Sequence, residues 1–262
     1  RVRLKLGRQL ASHATVFAPY NLLMYAFSAV PAGAIPARTR FTAVDALRDN
    51  WQAIRDEAAG LFAQGHIRDA LKDDDASFAS FLKVGWKRFY VKWYGEALPS
   101  AQTLCPKTVE LVNHIPGVKA AMFALLPPGV TLNPHRDPFA GSLRYHLGLI
   151  TPNSRDCHIF VDGQEYFWRD GEDVIFDETC VHWVENKTDM TRVIFFADLE
   201  RPLRSRVMAW INHHVSNFMG AITASPNQVS EPTGAINRLF SVLRQRREKS
   251  RGFKHRHRKL FK

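Results

Sequence analysis

The amino-acid sequence predicts a mainly β fold with flanking α-helices, and three observations support this fold class. Between about residues 86 and 202, short runs rich in β-branched and aromatic residues alternate with turn residues. Asp162-Gly163 separates two of these runs, and this dipeptide is typical of a tight β-hairpin. No helical periodicity lies between the runs, so they favour an antiparallel sandwich or barrel.

An amphipathic helix is predicted ahead of the β region, over Thr42 to Gly65. Its apolar residues recur at helical spacing, Thr42 and Asp45 have the spacing of a capping box, and Gly65 ends the pattern. The apolar stretch before it, Val16 to Ile35, is interrupted by prolines, and we interpret it as a core or interfacial segment. No segment has the run of about 18 apolar residues that a transmembrane helix requires.

The predicted strands follow this helix. They cover Phe89 to Tyr94, Lys119 to Leu126, Leu143 to Thr151, Cys157 to Asp162, Glu165 to Trp168, Asp173 to Phe176, Val181 to Glu185, and Thr191 to Leu199. A second helix is predicted after Pro202, and it either packs against the β region or lies in the plane of a membrane. Its apolar residues share one stripe: Val207, Ile211, Val215, Phe218 and Ile222.

The simplest layout is one β domain with terminal helices. It comprises an N-terminal helical region packing on the core (1–85), a β core (86–202), a C-terminal helical region (203–243) and a basic tail (244–262). The hydrophobic content of 45% is ordinary for a folded globular chain of 262 residues.

The net charge of +11 is concentrated at the two ends of the chain. Residues 244–262 carry ten Lys or Arg against one acid, and residues 1–10 carry four against none, so the body between them is nearly neutral. This distribution is typical of basic arms for an anionic surface, either a phosphate backbone or acidic lipid headgroups. The alternative is a solvated tail that promotes solubility.

The three cysteines, Cys105, Cys157 and Cys180, are an odd number without CxxC spacing. This pattern argues against a disulfide framework and against a thiolate zinc site. It indicates small buried residues in a reducing, cytoplasmic environment.

The stretch NPHRDPFAGSLRYHLGL, residues 133–149, carries the first candidate site. His135 and Asp137 form an HxD pair in an extended segment, so their side chains point to the same side. His182, which opens a later strand, is the best third ligand, because two histidines and one carboxylate form the facial triad of non-haem Fe(II) oxygenases. An isolated HxD pair is also compatible with a surface turn, since Asp and Pro, here Asp137-Pro138, are common turn residues.

Arg192 strengthens the metal-site interpretation. It follows His182 by ten residues on the next strand, and a hairpin between the two strands would place its guanidinium one small molecule away from the metal. The forked guanidinium matches the distal end of a dicarboxylate. Arg144 and His146 share one face of their own strand, and they line a site for an anionic cosubstrate if that face is the interior. Otherwise they form a polar outer face.

The runs PHRDP, SLRYHLGLITP, GEDVIFDETCVHWVEN and TRVIFFADLERP resemble the aspartyl/asparaginyl β-hydroxylase family of iron- and 2-oxoglutarate-dependent dioxygenases. The resemblance covers about Trp86 to Pro202. Within the family, the chain is most similar to bacterial hydroxylases of lipid A. The resemblance implies a double-stranded β-helix (jelly-roll, cupin-like) core. It also implies that His135 and His182 bind Fe(II), that Arg192 holds the distal carboxylate of 2-oxoglutarate, and that Arg144, His146 and Trp86 line the cosubstrate.

The implied reaction consumes O2 and 2-oxoglutarate and hydroxylates the α-carbon of a secondary acyl chain of lipid A. The expected location is the cytoplasmic face of the bacterial inner membrane, where the basic ends would lie against anionic lipid. A preceding N-terminal anchor is also an expectation. Nucleic acid is not the expected partner.

Two departures from the mammalian peptidyl hydroxylases leave alternatives open. Asp137 stands where those enzymes have glycine, so its place in the metal site rests on ligand chemistry alone. Ala124 stands where they have a serine that binds the cosubstrate. The alternatives are a peptidyl aspartate or asparagine β-hydroxylase, a non-enzymatic jelly-roll protein that binds RNA or an anionic membrane through its basic tail, and a metal-binding cupin without oxygen chemistry.

Overall fold

Two antiparallel β-sheets face each other at the centre of the protein. The computed structural model describes residues 16–67, 84–228 and 230–243. The larger sheet has the order β1-β2-β9-β4-β7 and the smaller sheet the order β3-β8-β5-β6. The strands are β1 Lys87–Trp93, β2 Val118–Leu126, β3 Thr131–His135, β4 Ser142–Ile150, β5 Cys157–Val161, β6 Gln164–Phe167, β7 Asp173–Phe176, β8 His182–Asn186 and β9 Arg192–Glu200.

This interleaved strand order is that of a double-stranded β-helix, so the mainly β fold class is confirmed. The predicted hairpin at Asp162-Gly163 is also confirmed. Val161 pairs with Gln164, and both turn residues have positive φ values, 49° and 85°, as a two-residue primed turn requires.

Helices cover the outer face of the larger sheet. The described helices are α1 Ala18–Ala26, α2 Asp45–Asp49, α3 Trp51–Ala63, α4 Pro99–Leu104, α5 Pro106–His114 and α6 Arg206–Thr223, and residues 235–243 are also helical. Leu47, Ile54 and Leu61 belong to one buried cluster with Phe123 and Phe195 of the sheet. All nine residues of β2 are buried, because helices cover one face of this strand and the second sheet covers the other.

The predicted helix over Thr42 to Gly65 is interrupted. A 3-10 turn, Thr42–Val44, precedes α2, and Asn50 separates α2 from α3. The side-chain amide of Asn50 donates to the carbonyl of Ala46 at 2.9 Å, where a continuous helix would use the backbone N–H of Asn50. The predicted capping box is wrong, since no side chain caps the 3-10 turn and the carboxylate of Asp45 instead pairs with Arg38 and Arg48.

Two helices, α4 and α5, lie between β1 and β2, although the sequence interpretation placed no helix between strands. Each begins with a proline in its first turn, Pro99 and Pro106. Proline is common at that position because its missing N–H would have no partner within the helix. The two prolines were the signal that could have revealed these helices.

The helix predicted after Pro202 is present as α6, but its apolar stripe does not face the β core. Val207, Trp210 and Phe218 are each 64% exposed, whereas the buried residues of the helix are Asn212, Ser216 and Gly220. Polar contacts determine this orientation: the hydroxyl of Tyr20 donates to Asn212 Oδ1, and Asn212 Nδ2 donates to the carbonyl of Gly141 at 2.9 Å.

The polypeptide after α6 returns to the outer edge of β1, where no described strand pairs. Asn227 Nδ2 donates to the carbonyl of Tyr90 at 2.8 Å, and the N–H of Tyr90 donates to Asn227 Oδ1 at 2.7 Å. One amide side chain therefore makes both hydrogen bonds that a neighbouring strand would make at Tyr90.

The three cysteines are free and buried, as predicted. Among the described helices, none combines the length and the apolar character needed to cross a bilayer. The division of the chain into four regions stays a prediction, and both basic segments, 1–10 and 244–262, lie outside the described residues.

Candidate active site

His135, Asp137 and His182 converge on one point at the open end of the smaller sheet. His135 at the end of β3 pairs directly with His182 at the start of β8, and their ring centroids are 4.2 Å apart. One candidate ligand atom from each of the three residues lies within 4.8 Å of the other two. The HxD pair and the distant histidine are thus brought together as predicted, although their role as metal ligands stays a prediction.

Backbone carbonyls fix the orientation of both imidazoles. His135 Nδ1 lies 2.7 Å from the carbonyl of Asn133, and His182 Nδ1 lies 3.0 Å from the carbonyl of Cys180. A carbonyl can only accept, so each Nδ1 carries the proton and the lone pair remains on Nε2. Such a hydrogen bond on the second ring nitrogen is the usual support of a metal-binding histidine.

Asp137 lies just beyond β3, and its backbone N–H donates to the carbonyl of Glu178 at 2.9 Å. Burial raises the pKa of Asp137, but Arg144 and the two histidines outweigh burial and hold it below the ordinary value. Burial lowers the pKa of His182 to about 4, so this imidazole is neutral at pH 7. Two imidazoles and one ionised carboxylate are the donor set of a facial triad, which fits Fe(II).

A pocket with about 430 Å³ of empty space, including its opening to solvent, joins His135 and His182 to Arg192. Both sheets contribute to its walls, which are mostly apolar. The lining residues are Trp86, Ala124, Leu132, His135, Arg144, His146, Ile159, Phe176, His182, Val184, Arg192, Ile194 and Phe196. A few polar groups among apolar walls are typical of a small-molecule site.

Arg192 is 2% exposed, and its Nε and Nη1 have no hydrogen-bond partner among the described residues. Its guanidinium carbon lies 4.3 Å from the centroid of the Trp168 ring. Burial lowers the pKa of Arg192 to about 10, so the guanidinium is still charged at neutral pH. A buried cation with two donors to spare fits a carboxylate of a ligand.

His146 is a second buried polar group in the pocket. Neither of its ring nitrogens has a hydrogen-bond partner among the described residues. Its ring packs against Trp168, Phe176 and Phe196, and burial holds its pKa well below the ordinary value. His146 is therefore neutral, with one donor and one acceptor available to a ligand.

Arg144 lines the pocket, but three carboxylates surround its guanidinium. Nε donates to Asp198 Oδ1 at 2.7 Å, Nη2 lies 3.0 Å from Asp137 Oδ2, and Nη2 also pairs with Glu178. Burial raises the pKa of Glu178 well above its ordinary value, which favours the protonated form of this carboxyl. The contacts make Arg144 a support of Asp137, and its predicted role at the cosubstrate stays a prediction, as does that of buried Trp86.

The predicted hairpin between His182 and Arg192 is wrong. β8 belongs to the smaller sheet and β9 to the larger sheet, so the two side chains reach the pocket from opposite walls. Asn186 turns the chain at this corner. Its Nδ2 donates to the carbonyls of Pro127 and Met190, and its Oδ1 accepts from the hydroxyl of Thr188.

Sequence reasoning missed three supporting residues, namely Glu178, Asp198 and Trp168. Asp198 lies in the apolar run VIFFADL, and a carboxylate in a buried strand requires a buried cation such as Arg144. From that requirement, a supporting role for Asp198 could have been predicted from the sequence. Glu178 lies in a turn and Trp168 directly after β6, where the local pattern does not distinguish a buried from an exposed side chain.

Residues 48–202 match the family model described as Aspartyl/Asparaginyl beta-hydroxylase. The ornithine lipid ester-linked acyl 2-hydroxylase of Rhizobium tropici is 41% identical over 136 residues, which cover 51% of this chain and 48% of that protein. The human aspartyl/asparaginyl beta-hydroxylase is 29% identical over 173 residues, which cover 64% of this chain and 22% of that protein. The matched regions thus span less than half the length of both relatives.

Among solved structures, a prolyl-4-hydroxylase from Pseudomonas putida is similar over 59% of this chain and 87% of its own chain, with 21% identity and a TM-score of 0.38. The candidate ligands His135, Asp137 and His182 and the buried Arg192 all lie inside the region that the family model matches.

Proposed function

This chain belongs to the aspartyl/asparaginyl β-hydroxylase family, and we propose on that premise that it is an Fe(II)- and 2-oxoglutarate-dependent dioxygenase acting on a lipid. The proposed reaction hydroxylates the 2-position of an ester-linked fatty acyl chain, with a secondary acyl chain of lipid A as the first candidate substrate. One observation carries the oxygenase proposal: the two histidines of the His-Asp-His group and the buried guanidinium of Arg192 line the same pocket from opposite walls.

In this proposal His135, Asp137 and His182 hold Fe(II). Bound Fe(II) supplies the O2 chemistry of the reaction, in which O2 and 2-oxoglutarate are consumed and succinate, CO2 and the hydroxylated product are formed. The protein holds both imidazoles in one tautomer and keeps Asp137 ionised beside Arg144. These contacts prepare the ligands before the metal binds.

In this proposal Arg192 binds the distal carboxylate of 2-oxoglutarate through its guanidinium, whose Nε and Nη1 have no other partner among the described residues. The ring of Trp168 holds the guanidinium in place, and His146 offers a further donor to the same cosubstrate. Apolar side chains of both sheets, among them Ile159 and Ile194, keep water away from this charge pair and so strengthen it.

The lipid part of the proposal is supported by the 41% identity to a protein named for acyl 2-hydroxylation of an ornithine lipid. Basic residues at both ends of the chain support a location at an anionic membrane surface, for which we propose the cytoplasmic face of the bacterial inner membrane. Lipid A and ornithine lipid share an ester-linked acyl chain, so the test must separate them.

Succinate release tests the proposal. Purified protein is supplied with Fe(II), 2-oxoglutarate and O2 and, separately, with lipid A, an ornithine lipid or an aspartate-containing peptide. We expect succinate to accumulate with a lipid substrate, and mass spectrometry to find one added oxygen on an acyl chain. His182→Ala should abolish both signals, whereas the matched control His114→Ala, at an exposed histidine of α5, should retain them.

The alternatives give different results. An added oxygen on the peptide and none on either lipid would make the protein a peptidyl hydroxylase. Metal binding without succinate formation from any substrate would support a cupin without oxygen chemistry. An added oxygen on the ornithine lipid alone would support the proposed acyl hydroxylation, with ornithine lipid instead of lipid A as the substrate.

A further inference from the structure

Helix α6 exposes an apolar face that no described element covers. Val207, Trp210 and Phe218 lie on one side of the helix, each 64% exposed. Burying Asn212 and Ser216 on the opposite side while exposing an indole and a phenyl ring reverses the usual arrangement of a surface helix. A contiguous exposed apolar surface of this kind marks an interaction site.

Helix α1 extends this surface. Leu23 of α1 and Phe27, directly after it, are exposed, and Phe27 lies beside the start of α6, since the N–H of Arg204 donates to the carbonyl of Phe27 at 2.8 Å. We call the exposed side chains of these two helices the α1–α6 face. It consists of Leu23, Phe27, Val207, Trp210 and Phe218.

The chain segments that carry the α1–α6 face contain arginines and no acids. No Asp or Glu occurs between residues 201 and 230 or between residues 16 and 44. Arg204 and Arg206, at the start of α6, are exposed. The chain also leads from these helical regions into its two basic segments, 1–10 and 244–262. An apolar helix face with cations and without acids is typical of a helix that lies in the interface of an anionic bilayer.

The helices of the α1–α6 face are hydrogen-bonded to segments next to the candidate metal ligands. Asn21 of α1 accepts from the N–H of Ala140 at 2.9 Å and donates to the carbonyl of Pro138 at 2.7 Å. Asn212 of α6 bonds Gly141 in the same loop, which begins beside Asp137. Tyr25 of α1 donates to Thr179, three residues before His182, at 2.5 Å.

We propose that the α1–α6 face is the surface by which the protein lies on an anionic lipid bilayer. Its aromatic and aliphatic side chains enter the interface, and Arg204 and Arg206 meet the headgroups. A second copy of the chain is a poorer occupant, because a two-fold interface would bring these arginines together with no acid of the two helical regions to pair them. The surface stands on its own observations and does not depend on the proposed reaction.

Vesicle binding by the full chain tests this inference. Binding is compared for vesicles of phosphatidylcholine alone and of phosphatidylcholine with phosphatidylglycerol. The double variant Trp210→Ser, Phe218→Ser should lower the partition coefficient for the mixed vesicles at least about tenfold. The matched control Phe62→Ser removes a 47% exposed phenylalanine from α3 and should stay within about twofold of the unsubstituted protein.

Tryptophan fluorescence locates the contact. Phospholipids brominated in their acyl chains should quench part of the emission, and Trp210→Phe should remove that part while the protein still binds. Equal binding by the double variant and the unsubstituted protein would overturn the proposal, because the basic ends alone would then carry the attraction. A dimer that the double variant dissociates, without vesicle binding, would assign the face to a second copy and would also overturn it.

Discussion

The guanidinium of Arg192 lies over the ring of Trp168, with its central carbon 4.3 Å from the ring centroid. The ring lies against one flat face of the cation and leaves the N–H groups in the plane of the guanidinium, where a planar carboxylate can accept two hydrogen bonds along one edge. A lysine at this position would offer a point charge and lose the forked contact.

Arg192→Lys should therefore weaken the use of 2-oxoglutarate. A hydrogen bond to a charged group contributes about 1.5–3 kcal/mol, so kcat/KM for 2-oxoglutarate should fall by roughly 10- to 150-fold. The measurement is the rate of succinate formation as a function of 2-oxoglutarate concentration. Arg155→Lys, at an exposed position, is the control, and an unchanged kcat/KM for Arg192→Lys would show that the dicarboxylate binds elsewhere.

Asp137→Asn should reduce metal affinity. The substitution keeps the size of the side chain but removes the charge that completes the donor set, and even outer-sphere supports of a metal contribute about 10- to 100-fold to affinity. We expect a loss of at least about 100-fold for Fe(II) or Co(II), measured by anaerobic titration calorimetry. The exposed Asp189→Asn is the matched control. Equal affinity in the two variants would exclude Asp137 from the site.

Arg144→Met should destabilise the fold itself. The substitution leaves the buried Asp198 and the partly exposed Asp137 without their cation, and breaking a buried ion pair costs about 3–5 kcal/mol. Urea unfolding of the metal-free protein measures the loss. Arg169→Met breaks the exposed pair with Glu172, and its effect should be about 0–1 kcal/mol. Similar losses in both variants would mean that the buried network contributes little to stability.

Two helical glycines should respond to alanine with opposite signs. A Cβ at Gly60 of α3 would have no atom within 4 Å, so Gly60→Ala should raise the free energy of unfolding by about 0.5–1 kcal/mol. A Cβ at Gly220 of α6 would collide with the side chain of Tyr94, so Gly220→Ala should lower it by about 1–3 kcal/mol. Denaturant titration of both variants measures these changes. Stabilisation by Gly220→Ala would contradict the close packing of α6 on Tyr94.

Most of the β core could be predicted from the sequence, because its strands are short apolar runs bounded by turn residues. β7, for example, was predicted with its observed bounds, Asp173–Phe176. The candidate site could also be predicted, since His182 and Arg192 lie at the starts of buried strands. Burying such polar side chains costs free energy, and a functional role usually explains it.

The sequence could not show which sheet each strand joins. A five-residue connection between β8 and β9 suits a hairpin and a corner equally well, and the corner depends on contacts of Asn186 with Pro127, 59 residues earlier. The orientation of α6 could not be predicted from the sequence for the same reason. Helical periodicity predicts that a helix forms but not which of its sides packs. That side is set by Gly141 and Tyr94, which come from distant parts of the chain.

The side chain of Asn227 has a consequence for assembly. An exposed strand edge invites another chain to add to the sheet, which is how folded β proteins begin to aggregate. By occupying both backbone groups of Tyr90, Asn227 blocks the middle of β1 to such an addition. The residues that follow α6 therefore protect the protein against intermolecular strand pairing, and shortening the chain before Asn227 would produce a protein prone to aggregation although its pocket is complete.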